Sequence, residues 1–274
     1  MEKRDGFYVV PAFVDAHVQL TVAGNVAEAM LRGGVAAAID LGAPEESLPL
    51  RAGALRVVFA GPLLTAPRGY PTQSWGPRHG LPVATADGAR AAVRRLAAAG
   101  ARFCKLAFDA RYAMLDAEVA RAAAGEAHRL GMQVAAHALD ADAVARALDA
   151  GADVLAHTPR DELPAATLRA LRGRWVISTL HAFGVQPTRL RALADAGVRV
   201  AYGTDLGNED TRPGIDAREL RLLQAAGVDP LGAAAAAAEL AGVSLAGCQL
   251  GVRALDAESL AAPAWVMIDG KMLP

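Results

Sequence analysis

Five polar residues lie within or at the ends of predicted strands, and their types could together hold a metal ion. Imidazole and carboxylate groups are the ligands that a divalent ion such as zinc selects, and ligands from separate strands can converge on one point. The set predicts a hydrolytic metal site and consists of His17, Lys105, His137, His157 and Asp205. Taken singly, a histidine at a strand end is more often an ordinary loop residue, and Asp205 could equally cap a helix.

Lys105 is the least ordinary member of the set because it lies within an apolar run. Its neighbours Phe103, Cys104, Leu106 and Ala107 are all apolar, and a strand of a barrel is buried on both faces. A buried ammonium group costs free energy unless it is paired, neutralised or modified. Lys105 is therefore a candidate catalytic residue as well as a candidate ligand.

The elements that must position these residues alternate along the chain as short strands and longer helices. Runs of Val, Ile and Phe predict strands, and apolar residues at helical spacing predict helices between them. Strands joined by single right-handed crossover helices lie parallel, and eight of them close into a barrel. The sequence therefore predicts the α/β class and a (β/α)8 TIM-type barrel. An open doubly wound sheet would need a Gly-rich turn after the first strand, and none follows Val14. The predicted strands cover residues 7–14, 36–41, 56–60, 102–108, 133–137, 153–157, 175–180 and 199–202.

The end of the chain predicts a small additional β element. Helical patterns over residues 216–226 and 230–241 are followed by a strand-like run over residues 265–268. We expect this tail to pair with residues 8–10, so that residues 6–10 and 264–271 form a reduced terminal β element. No Ser/Pro-rich linker divides the chain, so residues 1–274 are predicted to form a single domain.

Two loops at the barrel mouth carry candidate substrate-binding residues. The longest, over residues 65–81, carries Tyr70, Trp75, Arg78 and His79, and long loops over barrels often form lids or determine specificity. A rigid loop that packs on itself would use the same aromatic residues. His181 follows the seventh strand and either contacts substrate or lies on the surface; residues 208–212 are a further candidate segment.

Composition excludes several classes of partner. The chain has 274 residues, with 28 Lys and Arg against 29 Asp and Glu, and this balance argues against nucleic acid. No run approaches the ~20 apolar residues that span a bilayer, and no secretory leader is recognisable. Cys104 and Cys248 form no Cys-x-x-Cys unit, which favours a reducing cytoplasm. A small-molecule substrate is expected, and the Ala-rich helices leave room for a homo-oligomer surface.

Six segments occur in an order and spacing that match a known family. They are VPAFVDAHVQ (10–19), APRGYP (66–71), CKL (104–106), EAHRLGMQVAAH (126–137), GADVLAHT (151–158) and GTD (203–205). Along nearly its whole length the chain resembles the metal-dependent amidohydrolase superfamily, especially its imidazolonepropionase-like and prolidase-like branch. The first segment, for example, is similar to the family's Pro-Gly-Phe-Ile-Asp-x-His-x-His.

The resemblance implies a metal-dependent hydrolase of amide, cyclic amide or related C–N bonds other than peptide bonds. It implies that Lys105 is carbamylated and that Asp205 accepts a proton from the attacking water. The chain departs from the family at Gln19, which stands where the second histidine of His-x-His is expected. One ion, zinc by preference, is therefore expected rather than two, held by carbamylated Lys105, His137 and His157.

A second hypothesis is that the loss of this histidine marks a repurposed barrel. Such a protein would be poor in metal and would catalyse a non-hydrolytic step or only bind a ligand. The joint survival of Lys105, His137, His157 and Asp205 favours the hydrolase, because a barrel without a metal has little reason to keep four costly polar groups at its mouth.

Overall fold

Parallel strands and helices alternate along most of the chain in the computed structural model, which describes residues 3–274. The strands are β1 (Lys3–Arg4), β2 (Phe7–Pro11), β3 (Phe13–Val18), β4 (Val35–Asp40), β5 (Arg56–Phe59), β6 (Leu63–Thr65), β7 (Gly80–Pro82), β8 (Phe103–Phe108), β9 (Gln133–Ala138), β10 (Val154–Leu155), β11 (Trp175–Ile177), β12 (Arg199–Ala201), β13 (Gln249–Val252), β14 (Trp265–Ile268) and β15 (Lys271–Met272). The helices are α1 (Leu20–Ala23), α2 (Ala27–Arg32), α3 (Ala86–Ala98), α4 (Ala117–Arg129), α5 (Ala141–Ala150), α6 (Ala165–Leu171), α7 (Leu180–Phe183), α8 (Pro187–Asp195), α9 (Ala217–Ala225), α10 (Pro230–Ala241) and α11 (Ala257–Ala261).

The predicted TIM-type barrel is confirmed. One parallel ladder has the order β3-β4-β5, and a second has the order β12-β11-β10-β9-β8-β6-β7. Backbone hydrogen bonds join the two ladders on both sides, among them those from Ala16 N–H to the Tyr202 carbonyl and from Arg102 N–H to the Phe59 carbonyl, each 3.0 Å. All residues of β3, β4 and β8 are buried, as expected of parallel strands covered on both faces.

Local capping chemistry fixes where the barrel helices begin and end. A Ser, Thr or Asp side chain at the N-cap satisfies backbone N–H groups that the first turn leaves free. Gly151 closes α5 in the left-handed conformation, with φ of 95°, as its position after the predicted helix indicates. Side-chain N-caps are found at Thr85 (α3), Asp116 (α4), Asp140 (α5), Asp216 (α9), Asp229 (α10) and Asp256 (α11).

The prediction of one strand over residues 7–14 is wrong. The run splits near Ala12 into β2, which lies in a separate antiparallel sheet, and β3, which opens the barrel and continues to Val18. A continuous apolar run does not reveal where the pairing partner changes, and here the partner changes from β13 to β4. His17 consequently lies inside the first barrel strand rather than after it.

The terminal β element is a five-stranded sheet of order β1-β2-β13-β14-β15. The predicted strand over residues 265–268 forms, but it pairs with β13 and not with residues 8–10. β13, which lies between them, was missed because Gly251 weakens its strand signal. Residues 1 and 2, which the predicted single domain includes, lie outside the described residues, and the single domain stays a prediction.

Other predicted boundaries also differ from the structure. The sixth predicted strand, over residues 153–157, is only Val154–Leu155, so His157 lies two residues after it rather than at its end. The seventh predicted strand ends at Ile177, because Thr179 adopts a left-handed φ of 41° and Leu180 begins α7. The loop over residues 65–81 is not wholly irregular, since β6 and β7 pair in parallel at its two ends. None of the helices described over residues 3–274 is long and apolar enough to cross a membrane.

Candidate active site

Three buried side chains converge at the carboxyl ends of the barrel strands. His17 comes from β3, His157 follows β10 and Asp205 follows β12, and one potential ligand atom of each lies within 4.8 Å of the other two. Each of the three is no more than 2% exposed. The close approach of β3 to the segment after β12 needs Gly203, because a Cβ there would lie 3.0 Å from the backbone nitrogen of His17, and 2.4 Å from Ile177 Cγ2 of β11.

Hydrogen bonds orient the histidine rings of this cluster. His17 Nδ1–H donates to the Ala156 carbonyl at 3.0 Å, which leaves Nε2 facing Asp205 Oδ1 at 3.2 Å. His157 Nδ1 is hydrogen-bonded to Thr179 Oγ1 at 3.1 Å, which leaves its Nε2 3.1 Å from Nδ1 of His137. Such bonds to the outer ring nitrogen are typical of metal-ligating histidines, because they fix the tautomer and the ring orientation.

Three polar atoms at the site are buried without a hydrogen-bond partner among residues 3–274. They are His137 Nε2, Gln19 Oε1 and Lys105 Nζ. An unpaired buried polar group costs about 1–3 kcal/mol, so a native structure rarely keeps several together without a ligand or modification. His137 Nε2 and the converging trio fit a divalent cation. The Lys105 ammonium group does not, unless it is neutral or modified.

Burial controls the charge of the site. It lowers the pKa of Lys105, and attraction to the carboxylates of Asp205 and Asp40 offsets this lowering only in part. Burial lowers the pKa of His137 to about 3 and that of His157 well below its usual value. Both imidazoles are therefore neutral at pH 7, which is the protonation state that binds a metal. Burial raises the pKa of Asp205, against the pull of Lys105.

Two buried carboxylates accept hydrogen bonds from the backbone next to the site. Neither was predicted from the sequence as a site residue. Asp15 accepts hydrogen bonds from the Thr204 hydroxyl and backbone N–H and from His17 N–H. Asp40 accepts from the N–H groups of Leu20 and Gly42. A sequence signal existed, because each is a lone acid in an apolar strand, where an unpartnered charge would be costly.

The loop between β6 and β7 brings three of the predicted substrate-binding residues to the mouth. Tyr70 stacks on His137 with ring centroids 4.4 Å apart, and Trp75 meets the Tyr70 ring edge-on at 5.5 Å. His79 is hydrogen-bonded through Nδ1 to the Gly42 carbonyl at 2.8 Å. Arg78 differs, because it is exposed and forms an ion pair with a surface glutamate, Glu46.

His181 makes its contacts with α9 rather than with the histidine cluster. Its Nδ1 lies 2.6 Å from Asp216 Oδ2, and Arg218 Nη1 donates to its Nε2 at 3.1 Å. Phe183, two residues further on, is the residue of α7 whose ring packs against His157, with centroids 4.4 Å apart. Sequence reasoning missed Phe183, since a lone phenylalanine in a polar loop carries no signal of its own.

A cleft of about 510 Å³ opens at the mouth beside these loops. Trp75 and His79 line one side, and Ala182, Gly207 and Asn208 line another. A cleft of this size suits a small molecule. Asn208 connects the cleft to the buried cluster, because its side-chain amide donates to Asp205 Oδ2.

Comparison with known proteins agrees with the fold. The sequence profile of the amidohydrolase family matches residues 8–248. A prolidase-like protein from Bifidobacterium longum is 27% identical over 98% of this chain and 81% of its own, with a TM-score of 0.81. A Xaa-Pro dipeptidase with bound methionine is 18% identical over 100% of this chain and 90% of its own, with a TM-score of 0.78. An ochratoxinase from A. niger is 17% identical over 96% of this chain and 83% of its own, with a TM-score of 0.75. No curated protein sequence matches significantly.

Proposed function

The chain belongs to the amidohydrolase family, and from that premise we propose that it is a metal-dependent hydrolase of amide, cyclic amide or related C–N bonds. The observation that carries the proposal is the buried convergence of His17, His157 and Asp205. Neutral imidazoles beside a carboxylate, with a further unpartnered nitrogen on His137, form a donor set that suits zinc.

One zinc ion per chain is proposed rather than two. From the sequence, carbamylated Lys105, His137 and His157 were expected to hold it. The convergence of His17, His157 and Asp205 supports these three as its ligands instead, with His137 beside them and carbamylated Lys105 as a further ligand. The presence of Gln19 supports a single ion, because a neutral amide is a poorer zinc ligand than imidazole. When bound, a divalent ion lowers the pKa of its water toward ~7 and polarises a carbonyl group.

The protein's own residues supply orientation and proton transfer. Asp205 accepts the proton of the attacking water and passes it to the leaving nitrogen. Tyr70 and Trp75 cover the His137 side of the site and exclude bulk water from it, and the mouth cleft binds the remainder of the substrate. Arg78, His79 and His181 stay candidate substrate contacts at the rim.

Lys105 is proposed to be carbamylated. Burial lowers the pKa of Lys105 and so favours its neutral amine. The neutral Nζ attacks carbon dioxide, the N–C bond forms and one proton is lost to solvent, so a neutral group becomes an anion. The support for this step is that Nζ is buried with no hydrogen-bond partner among the described residues. A carbamate oxygen would turn this unpaired group into a further ligand.

The proposed substrates are small amides, and they include peptides. The similar proteins are called prolidase-like and Xaa-Pro dipeptidase, so dipeptides ending in proline belong in the first screen beside lactams and acylated amino acids. A cytoplasmic location is proposed because Cys104 and Cys248 are both free, as is usual in a reducing compartment.

The alternative is a metal-poor barrel that binds a ligand or catalyses a non-hydrolytic step. Gln19 favours this alternative, because it replaces the histidine that completes the family's His-x-His pair. The two functions differ first in metal content, since only the hydrolase requires the ion.

Elemental analysis of protein purified without chelators or a metal-binding tag tests the proposal. We expect about one zinc, manganese or iron per chain in the wild type, lost in His157→Ala and Lys105→Ala but retained in His128→Ala, whose ring lies on the exposed face of α4 against Asp153. About two ions per chain would contradict the single-ion proposal. Well-folded protein without metal would overturn the hydrolase in favour of the alternative.

A further inference from the structure

Gln19 holds the Asp205 carboxylate from one side. It lies directly after β3 at the start of α1, and only 3% of it is exposed. Its Nε2 donates to Asp205 Oδ1 at 3.1 Å, and its backbone N–H donates to the Leu206 carbonyl at 2.8 Å. Both the side chain and the backbone of Gln19 therefore tie the end of the first barrel strand to the segment after the last.

Asn208 holds the other oxygen of the same carboxylate. Its Nδ2 donates to Asp205 Oδ2, and its backbone N–H donates to the Asp205 carbonyl at 3.1 Å. Asp205 has a left-handed φ of 55°, which turns the chain tightly enough for Asn208 to reach back to it. With a donor on each oxygen, the carboxylate cannot rotate freely, and Oδ1 stays turned toward His17 Nε2.

The chemistry of the two donors matters as much as their number. Lysine or arginine in either place would neutralise the carboxylate and repel a cation, whereas amides orient it and leave its charge available. The Gln19 amide is also confined, because a Cβ at residue 42 would lie 3.3 Å from its Oε1. Gly42 thus leaves just the space that the glutamine occupies.

We propose that Gln19 and Asn208 are positioning residues that hold Asp205 in the orientation needed to bind the ion, and that Gln19 is not itself a ligand. We call them the amide pair. The inference rests on the proposed function, because it requires an ion at the site. The family motif has a metal-ligating histidine at the position of Gln19. In this chain the residue at that position would instead orient a neighbouring ligand, Asp205.

Zinc affinity of the full-length protein, measured by competition with a chromophoric chelator, tests the amide pair. Gln19→Met keeps the length of the side chain but removes the donor, and Asn208→Ala removes the second donor. Loss of such a supporting hydrogen bond typically weakens metal binding about 10- to 100-fold. We expect a loss of this size in each variant with stoichiometry at saturation unchanged. The fold-loss of zinc affinity in the double variant should be smaller than the product of the fold-losses in the two single variants, because both amides act on one carboxylate.

Cobalt loading separates a positioning residue from a ligand. At saturating Co²⁺, the visible absorption of Gln19→Met should equal that of the wild type, because the ligand set is unchanged. The matched control is Gln224→Met, an exposed glutamine on α9, which should change neither affinity nor spectrum. Should Gln19→Met fail to fold, as judged by circular dichroism, Asn208→Ala carries the test.

Three results would overturn the inference. An altered cobalt spectrum in Gln19→Met would make Gln19 a ligand. Zinc affinity within twofold of the wild type in both single variants would mean that the amide pair does not orient Asp205, while the hydrolase proposal would stand. Absence of zinc binding by the wild type would remove the hydrolase proposal and the amide pair together.

Discussion

Arg160 lies at the mouth of the barrel, and its guanidinium group forms no ion pair with the residues that the structure describes, 3–274. Its guanidinium group lies 5.6 Å from the Phe183 ring centroid, and that ring covers His157. The nearby carboxylates of Asp109 and Glu162 pair with other arginines. Its backbone N–H donates to the Leu139 carbonyl at 2.7 Å, which fixes its place beside the ends of β9 and β10.

An exposed arginine in this place should bind a carboxylate of the substrate. We expect Arg160→Gln to raise KM about 10-fold or more for N-acyl amino acids, because a hydrogen bond to a charged group contributes about 1.5–3 kcal/mol. The kcat should change little, and the neutral methylamides of the same substrates should be unaffected. Steady-state kinetics on these matched substrates check this, with Arg169→Gln on α6 as the control. Equal effects on acids and methylamides would contradict it.

At the scale of elements, Glu219 of α9 anchors α7 over the site. It is fully buried, and its two carboxylate oxygens accept from the Leu180 and His181 backbone N–H groups at 3.0 and 2.7 Å. Burial raises its pKa from 4.5 to about 7, helped slightly by the charge of Asp216 and opposed by these hydrogen bonds and by Ser178.

The raised pKa of Glu219 predicts a stability that depends on pH. Between pH 4.5 and 7 the folded state keeps a proton that the unfolded state has released, so raising the pH through this window reduces the free energy of unfolding. The reduction is at most about 1.4 kcal/mol per pH unit for one proton. Glu219→Gln has no titrating proton at this position. The free energy of unfolding of the wild type minus that of the variant should therefore fall as the pH rises from 4.5 to 7.

Urea denaturation at several pH values measures this difference. Gln224→Met, at an exposed position of α9, is the control and should give a difference that does not change with pH, because neither glutamine nor methionine titrates. A wild-type curve parallel to that of Glu219→Gln would show that Glu219 is ionised throughout, and that its hydrogen bonds outweigh its burial.

At the scale of the whole molecule, the terminal sheet packs on the barrel. Val10, Leu250 and Val252 from this sheet belong to the same buried apolar cluster as Phe13 and Leu64 of the barrel. Within the sheet, the Trp265 indole lies directly over Gly251, where an added Cβ would come within 2.0 Å of Cε2.

Gly251→Ala tests how much this contact contributes. The new methyl group must displace the indole, and overpacking of this kind costs about 1–3 kcal/mol. Urea denaturation followed by tryptophan fluorescence should show the loss. Gly125→Ala is the contrasting control, because residue 125 lies inside α4 with open space around it, and the change should stabilise by about 0.5–1 kcal/mol. Unchanged stability in Gly251→Ala would show that the sheet adapts at no cost.

The sequence by itself determined the barrel and the identity of its polar residues. Strand and helix periods alternate along the chain, and parallel strands joined by crossover helices bring their carboxyl ends to one mouth. That rule predicted five polar residues at this mouth, but it did not select the three, His17, His157 and Asp205, whose ligand atoms converge in the structure. The replacement of a family histidine by Gln19 was also evident from the sequence, because the rest of the first family motif is present.

Only the tertiary structure decided the partners of these residues. Gln19 and Asp205 are 186 residues apart, and no local pattern indicates that one amide donates to the other. The same holds for Phe183, whose ring packs edge-on against His157, and for His181, which is hydrogen-bonded to residues at the start of α9. The break between β2 of the terminal sheet and β3 of the barrel could not be predicted for the same reason. The partner of a strand depends on packing across the molecule rather than on the residues of the strand alone.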